Sequence, residues 1–189
     1  MFSQENYIEV LNFAALAHGE QKTPKGLPYL AHITCVAMEV INACEKSQLD
    51  EEKANLAISC ALLHDVIEDA NITYDELYMK FGSDIADGVE ALTKNKNLAS
   101  KQEQMKDSIE KLLTQPYEVQ MVKLADRITN LGIPPKHWDS EKIKKYQKEA
   151  SFILSCLGNS NIYLAKRLED KIEEYNKYIS WLLIFLKKN

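Results

Sequence analysis

Residues 62–70, Leu-Leu-His-Asp-Val-Ile-Glu-Asp-Ala, place four ionisable side chains inside an otherwise apolar, helix-forming run. If residues 53–69 are helical, His64 and Asp65 lie about 100° apart around the axis, near enough to reach one metal ion. Glu68 then stands one turn beyond His64, and Asp69 one turn beyond Asp65, on one wide face. Carboxylates buried on such a face without a partner are costly, and a divalent cation removes that cost. His32 and Asp126 extend the set. Taken singly, each has an ordinary use: His32 as a hydrogen-bonding residue beside a helix start, Asp126 in an ion pair with a basic neighbour such as Arg127. Together with His64-Asp65 they offer two imidazoles and two carboxylates from three helices, a mixed nitrogen and oxygen donor set.

The segments that must position these groups follow from apolar spacing. Tyr7, Leu11 and Ala14, with Ile8 and Ala15, predict an amphipathic helix over 7–18. Residues 19–28 contain Gly19, Pro24, Gly26 and Pro28 and read as a loop carrying Lys22 and Lys25 into solvent or towards a ligand. From about Tyr29, the residues Leu30, Ile33, Val36, Ala37, Val40, Ile41 and Cys44 form a core stripe with His32 near its start. After a polar connection over 45–52, Ala54, Ala57, Ile58, Ala61 and Leu62 bring the next helix to His64-Asp65. Thr73 with Glu76 fits a capping box opening a short helix through Phe81, and Gly82 stops it. Ile85, Val89 and Leu92 mark a further helix up to Lys94.

Residues 94–104 carry almost no apolar content and read as a mobile connection or, alternatively, a lid, with Ser100 and Glu103 a second capping box. A helix then ends near Leu113, and Pro116 starts the one that carries Asp126, which Gly132-Ile133-Pro134-Pro135 terminates. Ile143, Tyr146, Ala150, Ile153 and Leu157 face inward from a helix over 140–157, closed by Gly158. From about Asn161, the residues Leu164, Leu168, Ile172, Tyr175, Ile179 and Leu183 share one face. No period-2 alternation and no internal repeat is present. The expected fold is all-α: one domain over residues 1–189, a bundle of about 8–10 helices, with 159–189 a C-terminal amphipathic helix.

Apolar residues make up 46% of the 189 and charged ones 27%, ordinary for a globular chain, and the net charge of -5 offers no basic field for duplex nucleic acid. Cys35, Cys44, Cys60 and Cys156 show no CxxC spacing and sit in apolar helical patterns, as reduced core thiols would, so a cytoplasmic location is expected. The N-terminus lacks a charged region followed by an apolar block, so no signal peptide is expected. The apolar stretch 181–186 is far shorter than the about 20 residues that span a bilayer, so no membrane partner is expected. It reads either as a packed terminal helix or as a homodimer contact.

The order His32, His64-Asp65, Asp126 resembles the HD superfamily of metal-dependent phosphohydrolases. Pro28-Tyr29-Leu30-Ala31-His32, Ala61-Leu62-Leu63-His64-Asp65-Val66-Ile67-Glu68-Asp69, Phe81-Gly82, Leu92-Thr93-Lys94 and Lys123-Leu124-Ala125-Asp126-Arg127-Ile128-Thr129-Asn130 are similar to the hydrolase domain of RelA/SpoT-type alarmone enzymes, over about residues 14–157. So short a chain has no room for a synthetase domain, and the resemblance narrows to a stand-alone small alarmone hydrolase. It implies an all-helical HD architecture and one Mn²⁺ held by His32, His64, Asp65 and Asp126. It also implies Glu68 and Asp69 as the catalytic carboxylates beside the attacking water, and a (p)ppGpp nucleotide that loses its 3′-pyrophosphate.

Asn130 would then bond a ribose or phosphate oxygen, or cap its helix; Lys94 would meet phosphate, or solvent; Tyr29 and Tyr146 would line the nucleotide site, or pack in the core. In related enzymes the loop before the Pro-Tyr segment carries an arginine-containing basic pair that packs on the guanine. Here Thr23 and Pro24 stand at those positions, and Lys22 or Lys25 supplies charge without the planar contact. Residues 158–189 lie largely beyond the resemblance. Two other readings stand beside it: hydrolysis of another nucleotide phosphate, such as a nicotinamide dinucleotide phosphate or an adenine-containing alarmone, and a nucleotide-binding regulator without turnover. The four intact donors and two following acids argue against the regulator.

Overall fold

Ser3, Asp50, Thr73, Ser100 and Asp139 each accept a backbone N–H three residues on, and a helix follows each of them. In the computed structural model, which describes the backbone of residues 1–186 and the side chains of residues 1–179, these boundaries open α1 (Gln4–His18), α3 (Glu51–Leu63), α5 (Tyr74–Phe81), α7 (Lys101–Leu113) and α9 (Ser140–Leu157). Both expected capping boxes close reciprocally, with Glu76 bonding the Thr73 amide and Glu103 that of Ser100. The remaining helices are α2 (Leu30–Lys46), α4 (Val66–Asp69), α6 (Ser83–Leu92), α8 (Tyr117–Asn130) and α10 (Ile162–Leu186), with a 3-10 turn at Gly158–Ser160. Among the described residues there is no strand, only an isolated bridge between Lys22 and Pro28. The all-α expectation therefore holds.

Helix α3 is the central rod. Ala54, Ala57, Ile58, Cys60, Ala61, Leu62 and Leu63 are all buried, and α1, α2, α6 and α8 pack around it. Gly88 of α6 approaches so closely that an added Cβ would stand 2.8 Å from Cys60 Sγ, so that crossing depends on having no side chain there. Helix α8 is buried through Val119, Met121, Val122, Leu124, Ala125 and Ile128, and α9 and α10 cover its other side.

Three expectations are corrected. The helix through 53–69 is not continuous: α3 stops at Leu63 and α4 starts at Val66, with Asp65 between them at φ -109°, ψ 0°. The His64 ring bonds the Ala61 carbonyl at 2.8 Å, the acceptor that the Asp65 amide would use if the helix continued. On α1 the inward face is Val10, Ala14 and His18, whereas Ile8 is 56% exposed. Cys35 is exposed and Cys156 only half-buried, so just Cys44 and Cys60 serve as core thiols, and all four are free. The stretch 181–186, read as a terminal packing or dimer contact, lies outside the residues whose side chains are described. Among the described residues no helix is long and apolar enough to cross a membrane.

A buried charge ties α10 to α2. Glu39 is 4% exposed, and Arg167 grips its carboxylate with Nε and Nη2. Removing one partner of such a pair strands the other in the core. Arg167→Met is therefore expected to destabilise the fold by about 2–4 kcal/mol, at the lower end of buried-pair values because the arginine is partly exposed. Urea unfolding read by circular dichroism checks this; an unchanged midpoint would show that the pair contributes nothing.

Candidate metal centre and catalytic cleft

Three pieces of chain deliver the donors. His32 sits in the first turn of α2, His64 and Asp65 occupy the break between α3 and α4, and Asp126 lies in the last turn and a half of α8. Because α2 and α8 both pack on α3, their side chains meet where α3 ends. Asp65 Oδ2 stands 2.9 Å from His64 Nε2 and 3.8 Å from His32 Nε2. Asp126 Oδ1 stands 3.4 Å from His32 Nε2 and 3.9 Å from His64 Nε2. The donor atoms of His32, His64 and Asp126 all lie within 4.8 Å of one another, as ligands of one ion must. Asp65 joins them through its contacts to both rings.

Three of the four donors are held by a further hydrogen bond. His64 Nδ1–H donates to the Ala61 carbonyl at 2.8 Å, so Nε2 keeps its lone pair for the cluster. Asn130 Nδ2 donates to Asp126 Oδ1 at 2.5 Å, and the Tyr29 hydroxyl donates to Asp65 Oδ2 at 2.5 Å. His64 Nε2 is buried, and what it faces is carboxylate oxygen, Asp65 Oδ2 at 2.9 Å and Asp126 Oδ1 at 3.9 Å. A lone pair taken out of water and aimed at carboxylate oxygens fits a cation between them, which makes this atom a direct test that the residues suit a divalent ion.

The charges agree with this placement. Burial penalises both aspartates, but the two imidazoles, and for Asp65 the Tyr29 hydroxyl, hold Asp65 and Asp126 well below the usual carboxylate range. Burial also opposes charge on His64, yet Asp65 and Asp126 outweigh it and raise the ring to about 9 in the absence of metal. A cation at this site takes over the role of that proton.

Beside the donors stand Glu68 and Asp69, both on the single turn of α4. Glu68 Oε2 accepts the Lys94 backbone N–H at 3.3 Å, and its Oε1 lies 3.6 Å from Lys94 Nζ and 3.9 Å from Lys96 Nζ. Lys96 also reaches Asp69 Oδ1 at 3.6 Å and the Glu68 carbonyl at 2.9 Å. Burial works against the Lys94 charge, but Glu68, Asp126 and Asp65 raise its affinity for the proton. The 93–100 loop is thus tied to the cleft at Lys94 and Lys96 rather than merely connecting α6 to α7.

The other expected contacts fall less centrally. Lys22 is exposed in its bridge to Pro28, and Lys25 lays its ammonium against Gly132, where an added Cβ would come within 3.2 Å of Nζ. Tyr146 is edge-on to Trp138 at 5.1 Å, the Arg127 guanidinium lies 4.3 Å over its ring, and burial pushes its hydroxyl up to about 12. Asn130 and Tyr29 spend a hydrogen bond on the donor aspartates.

Sequence reasoning missed Lys96, Lys123, Arg127 and His18. Lys123 and Arg127 are both buried on α8, and burial depresses the Lys123 ammonium. Their signal was the basic residue on either side of Asp126 in an apolar helix. His18 had one too, at the four-residue spacing Val10, Ala14, His18 of the α1 inner face.

A helical bundle whose three central helices bring two imidazoles and two carboxylates to one point defines a His/Asp metal-site fold. The chain belongs to the HD domain family, whose pattern it matches over residues 10–161. It is 31% identical over 168 residues to the guanosine-3′,5′-bis(diphosphate) 3′-pyrophosphohydrolase MESH1 of Danio rerio, covering 86% of this chain and 89% of that protein. It is 29% identical to MESH1 of Drosophila melanogaster, covering 89% and 94%. A guanosine-3′,5′-bis(diphosphate) 3′-pyrophosphohydrolase of Aquifex aeolicus is 34% identical over 82% of this chain, which spans 21% of that longer protein. Among solved structures, a metazoan ortholog of SpoT, described as hydrolysing ppGpp and playing a role in starvation responses, superposes with TM-score 0.76 at 26% identity, covering 92% of this chain and 97% of that one.

Proposed function

We propose that this chain is a Mn²⁺-dependent pyrophosphohydrolase that removes the 3′-pyrophosphate of guanosine 3′,5′-bis(diphosphate) alarmones, with residues 1–189 acting as one hydrolase unit. The observation that carries the reading is the convergence of His32, His64, Asp65 and Asp126, with the buried His64 Nε2 facing Asp65 Oδ2 at 2.9 Å and Asp126 Oδ1 at 3.9 Å. The names of relatives matched over nearly their whole length support the substrate.

His32, His64, Asp65 and Asp126 would hold the cation. When bound, it supplies positive charge that acidifies water and draws electron density from a phosphoryl oxygen. Glu68 and Asp69 orient the water, and one carboxylate takes its proton as oxygen attacks the phosphorus attached to O3′. The P–O3′ bond breaks, pyrophosphate leaves, and the ribose 3′-oxygen gains a proton. Lys94 and Lys96 already face the α4 carboxylates, so a phosphate chain there meets two ammonium groups without rearranging the backbone.

A second reading keeps the chemistry and changes the base. The loop before Tyr29 carries Thr23-Pro24 and only lysines, and Lys25 lies on Gly132. Neither lysine offers the flat guanidinium face that stacks on a purine, which favours another nucleotide phosphate. Product analysis over a nucleotide panel, with Mn²⁺ and with or without added pyrophosphatase, separates the two. For the guanosine alarmone, GDP and pyrophosphate are expected and phosphate appears only with pyrophosphatase. Turnover confined to another nucleotide would move the substrate, and none on any would remove the hydrolase reading.

A further inference from the structure

Asp65 is the donor that regular helix geometry holds least, because it stands in the break between α3 and α4. Its Oδ2 faces both imidazoles and also takes the Tyr29 hydroxyl bond. What aims Tyr29 therefore aims Asp65. Tyr29 precedes α2 at the end of the 19–28 loop, and its ring lies against His18, with centroids 4.7 Å apart and planes 33° apart.

His18 ends α1 and is 6% exposed, and its Nδ1–H donates to Gln21 Oε1 at 2.7 Å, the amide oxygen being an acceptor only. Gln21 closes the circuit through its backbone: its N–H donates to the His18 carbonyl and its carbonyl accepts the Tyr29 N–H, each at 2.9 Å. One residue thus ties the end of α1 to the start of α2 and locks the ring plane between them. The other ring nitrogen, His18 Nε2, is buried without a partner. A purely structural position would favour an apolar ring there, since an unbonded buried nitrogen opposes folding.

We infer that His18 and Gln21 are positioning residues for the metal centre. They fix the Tyr29 ring so that its hydroxyl sets the direction of Asp65. This rests on the reading of the donor cluster as a metal site. His18 is a positioning residue and not a ligand, because it is not among the donors that converge on one point and its ring contacts are Gln21 and Tyr29.

The test measures Mn²⁺ affinity by calorimetry and the ligand-field absorption of the Co²⁺-loaded protein, in folded variants checked by circular dichroism. Tyr29→Phe is expected to weaken Mn²⁺ binding about 10- to 100-fold, as loss of an outer hydrogen bond to a ligand does. His18→Leu and Gln21→Leu are each expected to weaken it several-fold and shift the Co²⁺ bands, with His18→Phe, which keeps a ring against Tyr29, recovering part of the loss. In the Tyr29→Phe background the His18 and Gln21 substitutions should add nothing, because their effect passes through the missing hydroxyl.

Ile153→Val, a core change on α9, should lower stability and leave both metal readouts alone. Unchanged affinity and bands in Gln21→Leu and His18→Leu, or an undiminished effect alongside Tyr29→Phe, would overturn the inference while leaving the metal site standing. If His18→Leu does not fold, Gln21→Leu, altered only at a partly exposed side chain, decides it. Absence of Mn²⁺ binding by the unaltered protein would overturn the metal-site reading and this inference with it.

Discussion

Asp65→Ala is expected to abolish tight Mn²⁺ binding and to cut turnover roughly 1,000-fold or more, above about 4 kcal/mol of barrier. Asp65 Oδ2 is within 4 Å of both ring nitrogens, so the substitution takes the negative charge from the middle of the cluster. It also leaves the Tyr29 hydroxyl without its acceptor and His64 with Asp126 alone. In the metal-free protein the raised His64 charge contributes stability that is fully present below about pH 6.5 and lost as pH rises through about 9. Mn²⁺ must displace that proton, so affinity should increase with pH over the same interval. Calorimetry and thermal unfolding read the outcome. Mn²⁺ at 100 times its dissociation constant stabilises by about 2.7 kcal/mol, a rise of roughly 5–10 °C for a chain of this size. The variant should show no rise. Wild-type affinity in Asp65→Ala would remove Asp65 from the ligand set.

Those donors were legible because His64, Asp65 and Asp126 interrupt apolar registers where a charge has no ordinary reason to be. The capping boxes were legible because they are local: Thr73 with Glu76, and Ser100 with Glu103, satisfy each other across three residues. The break at residues 64–65 was not. Periodicity carries on through it, while the His64 ring takes the Ala61 carbonyl that the next helical amide would use.

Long-range partners were hidden for a different reason. Arg167 meets Glu39 across 128 residues, and Lys96 meets Glu68 across 28. No local pattern encodes such pairings, which arise only when helices pack. Asn130 shows the two levels together. Its place one turn after Asp126 was visible, but the fold gives its amide to the donor carboxylate, which a substrate oxygen would have to share or displace.

Glu68→Gln separates holding the ion from using it. Glu68 has no contact with the two histidines like those of Asp65 and Asp126; its oxygens meet the Lys94 amide and the ammonium groups of Lys94 and Lys96. Glutamine keeps the volume and an oxygen able to accept the Lys94 N–H, and removes only the charge and the basicity. Mn²⁺ affinity should therefore stay near wild type, while kcat falls about 10²- to 10⁴-fold, the contribution usual for a positioned proton acceptor. KM should not rise. With Glu68 neutral, Lys94 and Lys96 lose a competing carboxylate and are freer to meet phosphate, so a fall in both kcat and KM is the expected signature. Asp69→Asn, at a more exposed carboxylate that meets Lys96 alone among the lysines near α4, should cost less if Glu68 takes the proton. A Glu68→Gln enzyme with wild-type kcat would overturn that assignment, and a larger loss in Asp69→Asn would transfer the role to Asp69.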